Sequence, residues 1–248
     1  MRNAYLEQWF SDEQIVQRKL QLFFLNALFG RGSGFVFKGG TALDLFYGSG
    51  RFSEDLDFDC KNMDVITLVN DTVSRLKAED EYAVFNDWKA DMELHRNFTR
   101  YVLRVSSAKL SGLVNFVIDC TVDAPKYPPD NFVLNYNDSL VNFSVMKAEE
   151  ILAEKVSAVI NREKARDLYD IYHLAVVKHI PINIKDVHEK CKKQFSTVAP
   201  KAYSFKLFET AVKRLRRRWG EMNVLLQDAE SYPFDEVSGA VLELFKSL

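Results

Sequence analysis

The stretch Lys38-Gly39-Gly40-Thr41, followed by Arg51-Phe52-Ser53-Glu54-Asp55-Leu56-Asp57-Phe58, decides the fold. Before it, Phe35-Val36-Phe37 is short, apolar and aromatic, as suits a buried strand. After it, Ala42-Leu43-Asp44-Leu45-Phe46 is helix-like. Strand, glycine turn and helix form one unit. Two glycines let a backbone approach a ligand without a Cβ clash. They also leave N–H groups at a helix start, which suits a phosphate. A plain turn would use the same pair.

Leu56–Cys60 reads as a second strand. Residues i and i+2 of a strand face the same way, so Asp55 and Asp57 share one face while Leu56 and Phe58 face a core. Two adjacent carboxylates repel unless a cation lies between them, and hard oxygen ligands suit Mg²⁺ or Mn²⁺. An edge strand with a polar face is the bland alternative. A third carboxylate, Asp119, ends the apolar run Asn115-Phe116-Val117-Ile118-Asp119-Cys120. On a strand beside the pair it would let two metals share ligands. It could also simply mark a strand end, and Asp123 competes for the role.

Outward from this centre, residues 5–29 carry apolar positions at helical spacing (Ile15, Leu20, Phe23, Phe24, Ala27, Leu28) and end in a glycine-rich stop at residues 30–34. Residues 63–77 read as helix, and residues 82–88, 100–106 and 113–120 as strands. Tyr127-Pro128-Pro129-Asp130 breaks that pattern. From Met146 the period becomes helical, over residues 148–160 and 165–179. The expected organisation is α+β: a mixed α/β domain with an N-terminal helix over residues 1–145, then a helical domain over 146–248.

The chain has 248 residues, 33 Lys plus Arg against 35 Asp plus Glu, and 47% hydrophobic residues. A net charge of −2 gives no global sign of a nucleic-acid binder, although a local patch could serve. Lys213-Arg214-Leu215-Arg216-Arg217-Arg218-Trp219 is such a patch: it could neutralise RNA phosphates, with Trp219 stacking on a base, or be a solvated helix face. Cys60, Cys120 and Cys191 are too few and too scattered for a disulfide framework or a thiolate zinc site. The four histidines, His95, His173, His179 and His188, lack metal-ligand spacing. Neither a signal peptide nor a membrane span is expected, and a cytoplasmic setting follows.

Lys38-Gly39-Gly40-Thr41 with Arg51 to Phe58 resembles the opening signature of the AbiEii/AbiGii toxin family of nucleotidyltransferases, which includes the MenT toxins and shares the polymerase-β-like fold. The likeness continues at Ala148-Glu149-Glu150-Ile151-Leu152-Ala153-Glu154-Lys155 and at Arg166-Asp167-Leu168-Tyr169-Asp170, so it spans residues 35–178 in order. The resemblance implies a mixed sheet with flanking helices and a helical C-terminal region. It implies that Asp55 and Asp57 hold metal and that Ser53 lies beside the triphosphate. Gly39, Gly40 and Thr41 would line the phosphate turn, with Lys38 a further phosphate candidate. Lys155 would contact nucleotide phosphate, beside Arg166, and Asp167 would complete the site. On the residues alone, Lys155 could equally be a surface lysine paired with Glu150 or Glu154, and Asp170 could replace Asp167.

The same resemblance implies transfer of a nucleotide from an NTP to an acceptor, within a toxin–antitoxin or phage-defence system. Some members extend the 3′ end of tRNA, so tRNA or another RNA is the expected acceptor and a cognate antitoxin an expected partner. A protein or small-molecule hydroxyl is the alternative acceptor, and a non-catalytic NTP-binding module the alternative class.

Overall fold

The computed structural model describes residues 10–30, 34–60, 65–78, 85–95, 98–107, 113–136, 139–192 and 201–248. The parts of the sequence readings at residues 5–9, 31–33, 63–64 and 82–84 lie outside these. The chain divides into two units: residues 1–42 with 52–146, and residues 43–51 with 147–248.

The first unit is built on a seven-stranded mixed sheet. Its strands are β1 (Phe35–Lys38), β2 (Leu56–Cys60), β3 (Phe85–His95), β4 (Phe98–Ser107), β5 (Leu113–Thr121), β6 (Asp130–Tyr136) and β7 (Ser139–Val145), in the spatial order β3-β4-β5-β2-β1-β7-β6. β2 runs parallel to β5 and β1 parallel to β7; the other pairs are antiparallel. Helices α1 (Asp12–Phe29) and α3 (Val65–Ala78) pack on each other, and α1 lies on the sheet. Helix α2 (Gly39–Tyr47) begins at the glycine pair itself, earlier than residue 42.

Alternation sorts the sheet into two faces. Phe35, Phe37, Leu56, Phe58, Leu103, Phe116 and Ile118 point inward and are buried. Phe58 meets Phe35 and Phe37 at ring-centroid distances of 5.4 and 5.2 Å, and Phe24 of α1 meets Phe116 at 5.7 Å. Apolar burial of this kind stabilises by roughly 25 cal/mol per Å², and the aromatic geometry adds to it. Lys38, Asp57, Asp119 and Arg100 occupy the opposite face of their strands.

α1 starts at Ser11, whose hydroxyl accepts from the Gln14 N–H while the Gln14 side chain accepts from the Ser11 N–H. This reciprocal cap satisfies two helix-end donors.

The second unit contains α4 (Ala148–Asn161), α5 (Ala165–Ile171), α6 (Ile184–Lys192), α7 (Phe205–Arg214) and α8 (Phe234–Lys246). α5 runs on into a π-helical turn, Tyr172–Val177, and α7 into a 3-10 stretch, Leu215–Val224. Ile151, Leu152, Val156, Leu168, Leu174, Phe208, Val212 and Val241 form its buried interior. Residues 43–51 belong here because their backbone is tied to the π-turn helix. Tyr169 donates to Ser49 O at 2.9 Å, His173 Nε2 lies 3.0 Å from Tyr47 O, and Arg51 bridges to Leu226. The expected division at 145/146 placed that segment in the mixed domain.

Candidate active site

The glycine turn and the acidic pair meet inside the first unit. Gly39 has φ of +76°, and a β-carbon built on it would stand 2.1 Å from Asp57 Oδ2. The Asp57 carboxylate therefore rests on the bare α-carbon at the start of α2, where any side chain would collide with it. Asp55, just before β2, and Asp57 within it are both partly exposed, while Leu56 and Phe58 are fully buried.

The loop leading to the pair is stapled from three sides. Gln21 Nε2 donates to Ser53 O at 2.9 Å and to Glu54 O at 2.8 Å. Gln17 Nε2 donates to Glu54 O at 3.1 Å and to Asn115 O at 3.3 Å. Thr41, fully buried, donates its hydroxyl to Asp55 O at 2.6 Å. These bonds give buried carbonyls their partners and fix where the carboxylates begin.

Register extends the site across the sheet. Lys38 pairs with Asp57, Asp57 with Asp119, and Asp119 with Arg100. Asp119 thus stands beside Asp57, as the strand reading expects. Its two oxygens, however, accept from Arg100 Nε at 2.8 Å and Nη2 at 2.7 Å. The hydrogen bond to Asp119 holds the Arg100 guanidinium above its ordinary pKa, against the opposing effect of partial burial. Lys38 Nζ lies 2.6 Å from Asp59 Oδ1, and Asp59 is buried. Among the described residues no three His, Cys, Asp or Glu side chains gather closely enough to hold a metal ion. The residues present fit a two-carboxylate Mg²⁺ site, completed by water and phosphate oxygens, rather than a three-carboxylate cage.

The second unit holds a buried charge network. Lys155 Nζ lies 3.0 Å from Asp167 Oδ1 and 2.7 Å from Asp170 Oδ2. Arg162 grips Asp167 through Nε (2.9 Å) and Nη2 (3.0 Å). Arg51 grips Asp170 through Nε (2.5 Å) and Nη2 (2.6 Å). Both aspartates are fully buried. Burial would push their pKa values up, but Lys155 with Arg162, and Arg51 with Lys155, outweigh it and hold both carboxyls below the usual range. These five residues set three cations against two carboxylates, and Asp44 adds a further negative charge that acts on Arg51.

The AbiEii family model, described as the nucleotidyl transferase AbiEii toxin of type IV toxin–antitoxin systems, matches residues 24–237. The chain belongs to the AbiEii nucleotidyltransferase toxin family. Solved structures show the same fold. A Helicobacter pylori protein proposed to be a nucleotidyltransferase is 23% identical, with a TM-score of 0.60 over 96% of each chain. JHP933 from H. pylori is 22% identical, with a TM-score of 0.57 over 96% of this chain and 94% of that one. MenT4, a nucleotidyltransferase toxin from Mycobacterium tuberculosis H37Rv, is 18% identical, with a TM-score of 0.51 over 94% and 93%. No curated protein matches the chain in sequence.

Within this AbiEii nucleotidyltransferase, Gly39, Gly40, Ser53, Asp55, Asp57 and Asp119 come together in the first unit. Thr41 is there too, but its hydroxyl holds the Asp55 backbone instead of lining the turn. Ser53 is buried, and its carbonyl is bound by Gln21. Lys38, read as a phosphate contact, is paired with Asp59. Lys155 and Asp167 are ion-paired to each other in the second unit, where Arg166 is half-buried. The alternative reading of Lys155 as a surface lysine fails, because its side chain is 8% exposed and its nitrogen lies against Asp167 and Asp170.

Trp219 is half-buried and tied into the second unit. Its indole N–H donates to Tyr232 O at 2.9 Å, and its ring packs against Phe234 and beside Tyr169 and Met222. The neighbouring cations are paired as well: Lys213 with Glu209, Arg214 and Arg217 with Glu163, Arg216 with Asp235 and Arg218 with Glu221.

Sequence reasoning missed Gln17, Gln21, Arg51 and Arg100. The glutamines had a signal: amides four apart on a helix otherwise apolar on that side must find polar partners.

Proposed function

We propose that the protein transfers a nucleoside monophosphate from an NTP to an RNA hydroxyl, with the 3′ end of tRNA as the acceptor. The observation that carries the reading is the seat of Asp57 on Gly39. A carboxylate against a helix start whose N–H groups suit a phosphate supports the reading that cation and triphosphate would bind side by side here.

Asp55 and Asp57 would hold Mg²⁺ or Mn²⁺, which neutralises triphosphate charge and polarises its oxygens. The Gly39-Gly40 backbone receives phosphate oxygens. Thr41, Gln17 and Gln21 act as positioning residues by fixing the backbone on which Asp55 is carried. Lys155, with Arg166, supplies cationic charge for phosphate in this proposal. Asp167 then acts by holding Lys155 and Arg162, since both its oxygens accept from them. The acceptor hydroxyl attacks the α-phosphorus in line; one P–O bond forms, the P–O bond to pyrophosphate breaks, and the hydroxyl proton is released. The protein contributes alignment and charge. A cognate antitoxin, expected of a type IV system, and a role in phage defence belong to the same proposal.

The test is transfer from labelled NTPs to total tRNA, with protein and small-molecule acceptor pools in parallel, by wild type and Asp57→Ala. Wild type should label tRNA and the variant should sit near background. Equal labelling by both would sink the two-carboxylate mechanism, and label appearing only on protein would move the acceptor.

A further inference from the structure

One row of side chains crosses four strands on the outward face of the sheet: Lys38, Asp57, Asp119 and Arg100 are successive register partners. The order of charge is plus, minus, minus, plus. At its far end the Arg100 fork closes on both Asp119 oxygens, the strongest geometry available to such a pair. The two partners differ in access. Asp119 is 12% exposed and Arg100 is 41% exposed. The guanidinium has five N–H donors, and its bonds to Asp119 use only those on Nε and Nη2.

A carboxylate held this way is not offered to a divalent cation, and the guanidinium beside it repels one. Asp119 thus stands next to Asp57 by register while both its oxygens are taken by Arg100. We propose that Arg100 is a positioning residue that withholds Asp119 until an RNA backbone phosphate takes the guanidinium, which frees Asp119 to join Asp57. The proposal rests on reading Asp55 and Asp57 as the cation pair. The exchange swaps one bidentate oxyanion for another, so Arg100 loses little in moving.

The phosphate is the acceptor's. Arg100 lies three strands from Lys38, roughly 14 Å at the usual strand spacing, so it stands at the far end of the row from the Gly39 turn, although Asp55 is still within its electrostatic range. The gate therefore couples assembly of the full ligand set to arrival of the acceptor, and so guards against hydrolysis of NTP by water.

Mn²⁺ binding to the protein without nucleotide or RNA, read by titration calorimetry and electron paramagnetic resonance, tests the gate. Wild type should bind one Mn²⁺. Arg100→Gln should gain a second, at least tenfold tighter than any second ion in wild type, and adding Asp119→Asn should abolish it. In a separate anisotropy titration, Arg100→Gln should weaken binding of a short RNA and lower its salt slope by about one. An Arg100→Gln protein that still binds a single Mn²⁺, or binds RNA like wild type, overturns the proposal. Should that variant fail to fold, Arg100→Lys decides by the same measurements, since a lysine cannot grip both oxygens and should also admit the second ion. Asp57→Asn separates the two readings: if it keeps the first Mn²⁺ the cation pair itself is wrong, whereas losing it while Arg100→Gln gains nothing condemns only the gate.

Discussion

At the residue scale the site depends on a missing side chain. Asp57 can stand where it does only because Gly39 offers no Cβ and accepts φ of +76°. Gly39→Ala brings two penalties, a left-handed backbone that alanine resists and a methyl group inside the Asp57 carboxylate. The strain should cost about 1–3 kcal/mol of stability. Transfer should fall further than stability explains, on the order of a hundredfold, because the carboxylate is displaced by about 1 Å or more. A folded variant with wild-type kinetics would show that Asp57 placement is not limiting. Part of this is legible in the sequence: a glycine pair at a strand end, before an aspartate pair on the next strand, leads one to expect backbone and carboxylate close together. Asp119 is legible in position but not in state, because its occupancy is set by Arg100 on another strand. Nothing in a strand's own alternation reveals which cross-strand cation will close on it.

Helix α5 and the end of α4 form the element with the clearest electrostatic signature. Asp167 and Asp170 titrate below the ordinary 3.8 in the folded protein, since the cations around them outweigh burial. The sign follows directly. The unfolded chain takes up these protons near 3.8 and the native protein only lower, so the network stabilises fully above that value and its contribution is lost as pH falls through the native pKa values. Asp170→Asn should be destabilised near neutral pH by roughly 3–5 kcal/mol, the usual cost of breaking a buried pair. Its melting temperature should converge on that of wild type as pH drops below about 4. A gap that stays constant with pH would mean that Asp170 works through shape and not charge. Other elements are harder to see. The β6–β7 hairpin escapes a sequence reading because Val133 and Leu140 face solvent and break the expected polar-out alternation, at 62% and 75% exposure. The π turn reads as ordinary helix because Lys178 bonding back to His173 O leaves the apolar spacing almost unchanged.

Across the whole molecule, charge is nearly balanced, and the densest basic run answers to the acids around it. Arg216, Arg217 and Arg218 each face a carboxylate, but the pairs are solvent-exposed, with arginine side chains 60%, 71% and 36% accessible. Exposed pairs of this kind are worth only about 0–1 kcal/mol each, so they can be traded for phosphates. Two consequences separate a scaffold from an RNA-binding surface. Replacing the three arginines with serine should change stability little, because Trp219, Met222 and Leu226 supply the apolar anchor of this region. If the run meets RNA, affinity at low salt should drop, and the slope of log K against log salt should flatten by about one for each phosphate left without its arginine, with NTP binding untouched. An unchanged slope would assign the run to intramolecular pairing. RNA binding would then have to come from elsewhere in a molecule whose net charge of −2 offers no general attraction.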